Sequence, residues 1–331
     1  MVTERDVEER LDGVMVPGAK RSLVGLNMLR EVDISDGNVS ITLSQAALSP
    51  HARDEVEDSV RAALDGLPQV SGVKVEFVDS TPSELNQIKQ VVAVMSGKGG
   101  VGKSLVTALL AVGLAQRGYQ VGVLDADITG PSIPRMFGLV SRPAGSESGI
   151  LPVLTRSGIE VMSVNLLLEH EDDAVIWRGP LIGNTIKQFW EDVLWGRLDY
   201  LLLDLPPGTA DAPLTVMQSL PLAGVVVVFT PQELASMVVR KAVRMARDAM
   251  NVPILGVVEN MSYLPLEGGG RLEIFGPSRG DEMARAARAP LLGQIPIDPE
   301  LAQTCDRGEI ELYRSPAMEG LVEAFLKTHS Q

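Results

Sequence analysis

Eight residues, Gly97-Lys98-Gly99-Gly100-Val101-Gly102-Lys103-Ser104, limit what this chain can fold into more than any other feature. They follow a short apolar run, Val91 to Met95, and open a stretch of helical character from about Ser104 to Arg117. The spacing fits G-x-x-x-x-G-K-[ST], a loop whose successive backbone N–H groups curl inward around phosphate oxygens. Glycine serves at Gly97, Gly99, Gly100 and Gly102 because a Cβ obstructs the curl, and Val101 contributes its backbone. The following helix adds the positive end of its dipole. Lys103 is expected to reach the β- and γ-phosphates of ATP, and the Ser104 hydroxyl to coordinate Mg2+.

The segments around this loop agree with it. Val121 to Leu124, Glu160 to Val164, Tyr200 to Leu203, Val225 to Phe229, Ile254 to Val258 and Leu291 to Ile295 are short apolar runs without alternation. Such runs are strands buried on both faces, so residues 90–331 read as an α/β P-loop ATPase domain with a doubly wound, mostly parallel sheet. Residues 1–79 read as a small α+β domain. Its expected helices are Glu4 to Leu11 and Ala52 to Leu64, and its expected strands Asn38 to Leu43 and Val73 to Val78. Ser80, Thr81 and Pro82 mark residues 80–89 as a linker.

Carboxylates stand at two of the strand ends. Tyr200-Leu201-Leu202-Leu203 runs into Asp204, placed to hold Mg2+ through water at the sheet's carboxyl edge. In the turn that follows, Gly208 is a candidate γ-phosphate sensor through its N–H. Val121 to Leu124 runs into Asp125-Ala126-Asp127. Of these two acids, one is expected to orient the helix or the metal shell and the other to position the attacking water, and Asp125 is a further candidate metal ligand.

Composition narrows the partners. With 29 Lys and Arg against 43 Asp and Glu, the net charge of −14 repels phosphate backbones and anionic lipid at long range. Arg240, Arg244 and Arg247 form one basic stripe, read as a solvated or acid-paired face rather than a nucleic-acid surface. His51, His170 and His329 are scattered and read as surface residues. The terminal helix, about Pro316 to Leu326, carries Glu319 and Glu323 and is expected to dock into the core rather than onto a membrane. The single cysteine, Cys305, fits a reducing, cytoplasmic setting.

With Lys98 opening Lys-Gly-Gly-Val-Gly-Lys-Ser, the chain resembles the deviant-loop ATPases of the MinD and ParA kind. More narrowly it resembles the Mrp/ApbC iron–sulfur carrier family. The matching blocks are Asp125-Ala126-Asp127-Ile128 with Gly130-Pro131-Ser132-Ile133-Pro134, Trp177-Arg178-Gly179-Pro180, Asp204-Leu205-Pro206-Pro207-Gly208-Thr209 and Glu259-Asn260-Met261-Ser262. The resemblance implies an ATP hydrolase acting in iron–sulfur cluster assembly or transfer. It implies a homodimer in which Lys98 reaches the partner's nucleotide, with Asp127 serving hydrolysis and Asn260 facing adenine, and it implies iron–sulfur scaffold or client apoproteins as partners. The other function in view is a nucleotide-switched positioning ATPase that binds no cluster.

The sequence departs from the family at three places. The usual Cys-x-x-Cys is replaced by the stretch from Leu264 to Ile274, the N-terminal Cys-Pro by Ser49-Pro50, and a second loop hydroxyl by Leu105. A 4Fe-4S cluster shared by a dimer takes four thiolates, and one cysteine per chain supplies at most two.

Overall fold

The computed structural model describes residues 2–127, 130, 132–167, 179–209, 211–232 and 235–328, with the backbone alone described at 179–182, 235–239 and 249. Ile128, Pro131, His170, Trp177, Arg178 and His329 lie outside the described residues. Two units emerge: Met1–Lys89 with Arg142–Leu154 and Gln188–Leu198, and Gln90–Ser141 with Thr155–Lys187 and Asp199–Gln331. The first unit is therefore not one continuous stretch of chain.

In the first unit, α1 (Glu4–Leu11) opens with a capping box in which Thr3 and Asp6 exchange hydrogen bonds. Helix α2 (Pro50–Leu64) is capped by the Ser49 hydroxyl, which accepts from the Ala52 N–H at 3.2 Å. Ser49-Pro50, the pair that stands in place of Cys-Pro, is thus a helix start, with Pro50 at the first helical position. Three strands form the sheet: β1 (Leu29–Ser35), β2 (Asn38–Ser44) and β3 (Gly72–Val78). Strand β2 is central, antiparallel to β1 and parallel to β3. Val39, Ile41 and Leu43 of β2 are buried against Val56, Val60 and Leu64 of α2, all in one core.

Strand β1 was not anticipated. A register shift between Leu29 and Glu31 breaks the two-residue alternation that announces a half-buried strand. The signal that finds it is Asp36-Gly37, both at positive φ (49° and 81°), which is the two-residue turn that joins twisted antiparallel strands.

The second unit carries a sheet built from β4 (Gln87–Ser96), β5 (Val121–Asp125), β6 (Glu160–Ser163), β7 (Arg197–Asp204), β8 (Gly224–Phe229), β9 (Ile254–Glu259) and β10 (Leu291–Gln294). Their spatial order is β6-β5-β7-β4-β8-β9-β10. The pairs β6–β5, β5–β7, β4–β8, β8–β9 and β9–β10 are all parallel. This is the α/β architecture that the apolar runs imply. The chain winds outward from β4 on one side, returns through β7, and continues to β10 on the other. Strand carboxyl ends beside β4 therefore flank a topological switch, the place where such sheets bind ligands.

Helix α3 (Lys103–Ala115) follows β4 and is buried from Val106 to Leu114 on every side, as a helix apolar all round must be. Its Gly113 lies against the last helix, α6 (Pro316–Lys327): an added Cβ would fall 2.3 Å from Val322 Cγ2. Met318, Leu321, Val322 and Phe325 of α6 are buried, so this helix spends its apolar face on the core. Among the described residues no helix is long and apolar enough to cross a membrane. Arg240, on α4 (Ala235–Arg244), lies 3.9 Å from Glu282, and Arg247 pairs with Asp248 at 3.1 Å, both pairs partly exposed. The basic stripe is thus acid-paired at Arg240 and Arg247 and exposed at Arg244, where such surface contacts contribute little stability.

Candidate functional site

The loop between β4 and α3 has the predicted curl. Gly100 (φ 78°) and Gly102 (φ 82°) occupy the left-handed region that side chains with a Cβ avoid, and Gly102 is the residue that starts α3. A depression of about 400 Å³ lies over it, lined among others by Gly99, Gly102, Ser104, Asp127, Ser132 and Pro207. The first unit holds a larger depression of about 610 Å³, but Asp79, Glu84, Glu147 and Asp192 line it, and four carboxylates repel a polyphosphate. The smaller one has the donors.

Lys103, Ser104, Asp127 and Asp204 come together at its floor. Lys103 is 5% exposed, and an ammonium so buried needs counter-charges. Its Nζ lies 2.8 Å from Asp204 Oδ1 and 3.5 Å from Asp127 Oδ2. The Ser104 hydroxyl donates to Asp204 Oδ2, and the Thr107 hydroxyl donates to Asp204 Oδ1 at 3.0 Å. Thr107 was missed in the sequence, although four residues after Lys103 is one helical turn on the same face.

Parallel pairing brings the next acid alongside: Asp204 and Asp125 are direct partners across β7 and β5, and Ser163 of β6 is the partner of Asp125 on the other side. Burial pushes the Asp125 carboxyl well above the usual carboxylate range, and neighbouring Asp204 adds to the push. Burial also raises Asp204, while Lys103 and the hydroxyl donors pull the other way. Asp125 Oδ1 accepts the Asp127 backbone N–H at 3.1 Å, and Oδ2 accepts the Ser163 hydroxyl at 3.2 Å. Both oxygens of Asp125 are therefore committed to protein donors. The first of these bonds ties the Asp127 backbone to the end of β5.

Three other candidates have partners that the sequence did not announce. Lys98 Nζ donates to Gln232 Oε1 of the same chain at 2.6 Å. Gln232 lies just past the end of β8, on the same sheet edge, and that placement is its only signal. The Gly208 N–H donates to the Ser96 carbonyl at 3.0 Å, so in this conformation it is not offered to a γ-phosphate. Asn260 is 1% exposed, and its Nδ2 donates to the Val101 carbonyl at 2.9 Å, placing the amide against the phosphate loop.

Just before Asn260, the buried Glu259 carboxylate accepts from the Ser262 and Ser278 hydroxyls, the Arg279 N–H and the Gln294 side chain, at 2.6 to 2.9 Å. The stretch that replaces Cys-x-x-Cys contains a small hairpin, Leu264–Pro265 with Arg271–Leu272, and Arg271 stacks over the Tyr263 ring. Cys305 lies elsewhere, on α5 (Pro299–Asp306), and burial pushes its thiol up to about 11, away from the thiolate that metal binding requires.

Comparison with known proteins converges on one family. Residues 87–329 match the NUBPL iron-transfer P-loop NTPase model, and residues 4–77 match an iron–sulfur cluster assembly protein model. An iron–sulfur cluster carrier protein of Clostridium perfringens is 48% identical over 246 residues, covering 71% of this chain and 86% of the relative. One from Synechocystis is 39% identical over 322 residues, covering 93% and 91%. A nucleotide-binding protein of Archaeoglobus fulgidus, solved in complex with ADP, is 49% identical with a TM-score of 0.63, covering 70% of this chain and 90% of that one. The Pyrococcus furiosus cell division ATPase MinD, at 22% identity, a TM-score of 0.54 and coverage of 72% and 99%, shares the fold. Coverage from near the first residue to near the last, at these identities, makes this chain a member of the iron–sulfur cluster carrier family of P-loop NTPases.

Proposed function

We propose that this protein binds Mg·ATP at the loop from Gly97 to Ser104, hydrolyses it, and uses the cycle in assembling or transferring iron–sulfur clusters. The observation that carries the reading is the buried set Lys103, Ser104, Asp204 and Asp127 beneath the loop. The Ser104 hydroxyl and the Asp204 carboxylate are adjacent hard oxygen donors, which suits Mg2+. The ion, when bound, neutralises charge on the β- and γ-phosphates. Lys103 exchanges its carboxylate contacts for phosphate oxygens, the loop N–H groups fix the phosphate chain, and Asp127 orients a water toward the γ-phosphorus. The P–O bond to ADP breaks as that water attacks, leaving inorganic phosphate. Asp127→Asn should keep Mg·ATP affinity within a few-fold and lose about 100-fold in turnover, because a water-orienting carboxylate acts mainly in the transition state. A collapse of affinity in a calorimetric titration of that variant overturns this role.

Lys98 acts across an ATP-favoured homodimer, after release from Gln232. The cluster is cargo, and its ligation does not fit this chain's own thiols, since there is one cysteine and its thiol is held protonated. The thiolates come from the iron–sulfur scaffold or client apoprotein, and nucleotide state governs docking. Anaerobic incubation of the protein with iron, sulfide and thiol should therefore yield no stable protein-bound charge-transfer absorbance. Cluster passage from a loaded scaffold to an apoprotein should quicken with Mg·ATP. A transfer rate indifferent to this protein and to ATP overturns the iron–sulfur part of the reading.

A further inference from the structure

The Val101 carbonyl and the Gly102 N–H belong to one peptide unit. In a trans peptide these two groups point in opposite directions, and the described chain contains no cis peptide bond. Whatever pins the carbonyl on one side therefore aims the N–H to the other. The pin here is Asn260, whose Nδ2 donates to Val101 O at 2.9 Å. The fit is close: a Cβ placed on Gly102 would fall 2.0 Å from that same Nδ2. Gly102 is thus required twice, by its φ of 82° and by the amide packed against it.

Asn260 is itself held rigidly. Its backbone N–H donates to Phe229 O on β8 at 2.8 Å, and Ser262, two residues on, donates to Ile295 O just past β10 at 3.0 Å. Between them Met261 takes a left-handed φ of 53°, and Glu259 is fixed by four donors. Three strand ends thus set the place of one amide.

We propose that Asn260 is a positioning residue of the phosphate loop, orienting the Val101–Gly102 peptide so that the Gly102 N–H faces the phosphates before nucleotide arrives. The inference rests on the nucleotide reading above and goes beyond a base-contacting role, because it makes Asn260 matter to ligands that have no base. Losing the donor strands a buried carbonyl and frees the peptide to rotate, at a cost comparable to a buried hydrogen bond.

The test uses the full-length protein and three probes with Mg2+: ATP, GTP and inorganic tripolyphosphate, titrated calorimetrically. Asn260→Leu keeps the branched shape, removes the donor and adds no charge. It should weaken tripolyphosphate and ATP by the same factor, about tenfold, with the ATP-to-GTP ratio unchanged. Asn260→Ser is the second variant should Leu prevent folding, judged by thermal melting, and must show the same equal loss. Weakened ATP with unchanged tripolyphosphate, or a collapsed ATP-to-GTP ratio, makes Asn260 a reader of the base and overturns the inference. Unchanged affinity for every probe overturns it too. A wild-type protein that binds neither ATP nor tripolyphosphate overturns the nucleotide reading itself, an outcome distinct from either of these.

Discussion

Asp204 and Glu259 are both fully buried, and both end a strand of the same sheet, yet their surroundings differ in kind. Asp204 is satisfied by Lys103, Ser104 and Thr107, and the first two are the groups that a phosphate and a metal would claim. Glu259 is satisfied by two serine hydroxyls, a backbone N–H and a glutamine amide, all neutral and none on the phosphate loop. Burial of a carboxylate therefore does not by itself mark chemistry. What marks it is a set of partners that can be exchanged for ligand.

The comparison can be broken in several ways. Lys103→Ala should lower phosphate release by about 1,000-fold, because it removes the cation set against the charge developing on the phosphates. A phosphate-release assay giving wild-type turnover would remove the exchangeable partner from the argument. Replacing each carboxylate by its amide isostere probes the two sites directly. In Glu259→Gln the new NH2 must face either the Arg279 N–H, which cannot accept, or the Ser262 and Ser278 hydroxyls and the Gln294 amide, which must all reorient to accept, so urea unfolding should show a loss of about 2–3 kcal/mol. In Asp204→Asn the NH2 can face the Ser104 hydroxyl, which also accepts, but Lys103 keeps only Asp127 as a counter-charge, so the loss should be about 3 kcal/mol and Mg2+-dependent ATP binding should disappear, whereas Glu259→Gln should keep it. Loss of ATP binding in both variants, or in neither, would erase the distinction.

Gln232→Ala removes the partner that holds Lys98 within its own chain. It should strengthen the ATP-bound dimer of the Asp127→Asn protein about fivefold in sedimentation velocity, the worth of one hydrogen bond to a charged group near the surface. A weakened dimer would assign Gln232 to the interface instead. The smallest effect concerns Cys305, half-buried and away from any exchangeable partner. Its folded thiol lies at about 11 against roughly 8.5 for an unperturbed cysteine. The neutral thiol is favoured by the fold, so this contribution to stability is intact below the unfolded value and is lost as pH rises through the folded one. Iodoacetamide should accordingly label the native protein slowly at pH 8 and the urea-unfolded protein fast. Rapid native labelling would contradict a thiol held neutral by the fold.

The loop from Gly97 to Ser104 and the acids Asp125, Asp127 and Asp204 were legible in the sequence, because each is announced by its own neighbours: a strand, then glycines, or a strand, then a carboxylate. Their mutual arrangement was not. Register alone decides that Asp125 meets Ser163 on one side and Asp204 on the other, and register is not written in any one segment. The same holds for Gln232 beneath Lys98 and Asn260 beneath Val101, where strand order brings distant residues to one edge. Strand β1 failed for a local reason, its bulge between Leu29 and Glu31, even though the Asp36-Gly37 turn was in plain view.

The contact between Gly113 and Val322 has a consequence for how the molecule is made. Helix α3, which carries Lys103 and Ser104, buries its far end under a helix encoded near the opposite end of the second unit. During synthesis the phosphate loop and its strand emerge early, with that apolar surface still uncovered, and they wait for α6 before the layer can close. Pairings so distant in sequence also slow folding, because loop closure must precede the contacts that reward it. A nascent chain released before Pro316 would thus carry the whole phosphate motif on a helix with an exposed apolar flank, a substrate for chaperones rather than for nucleotide.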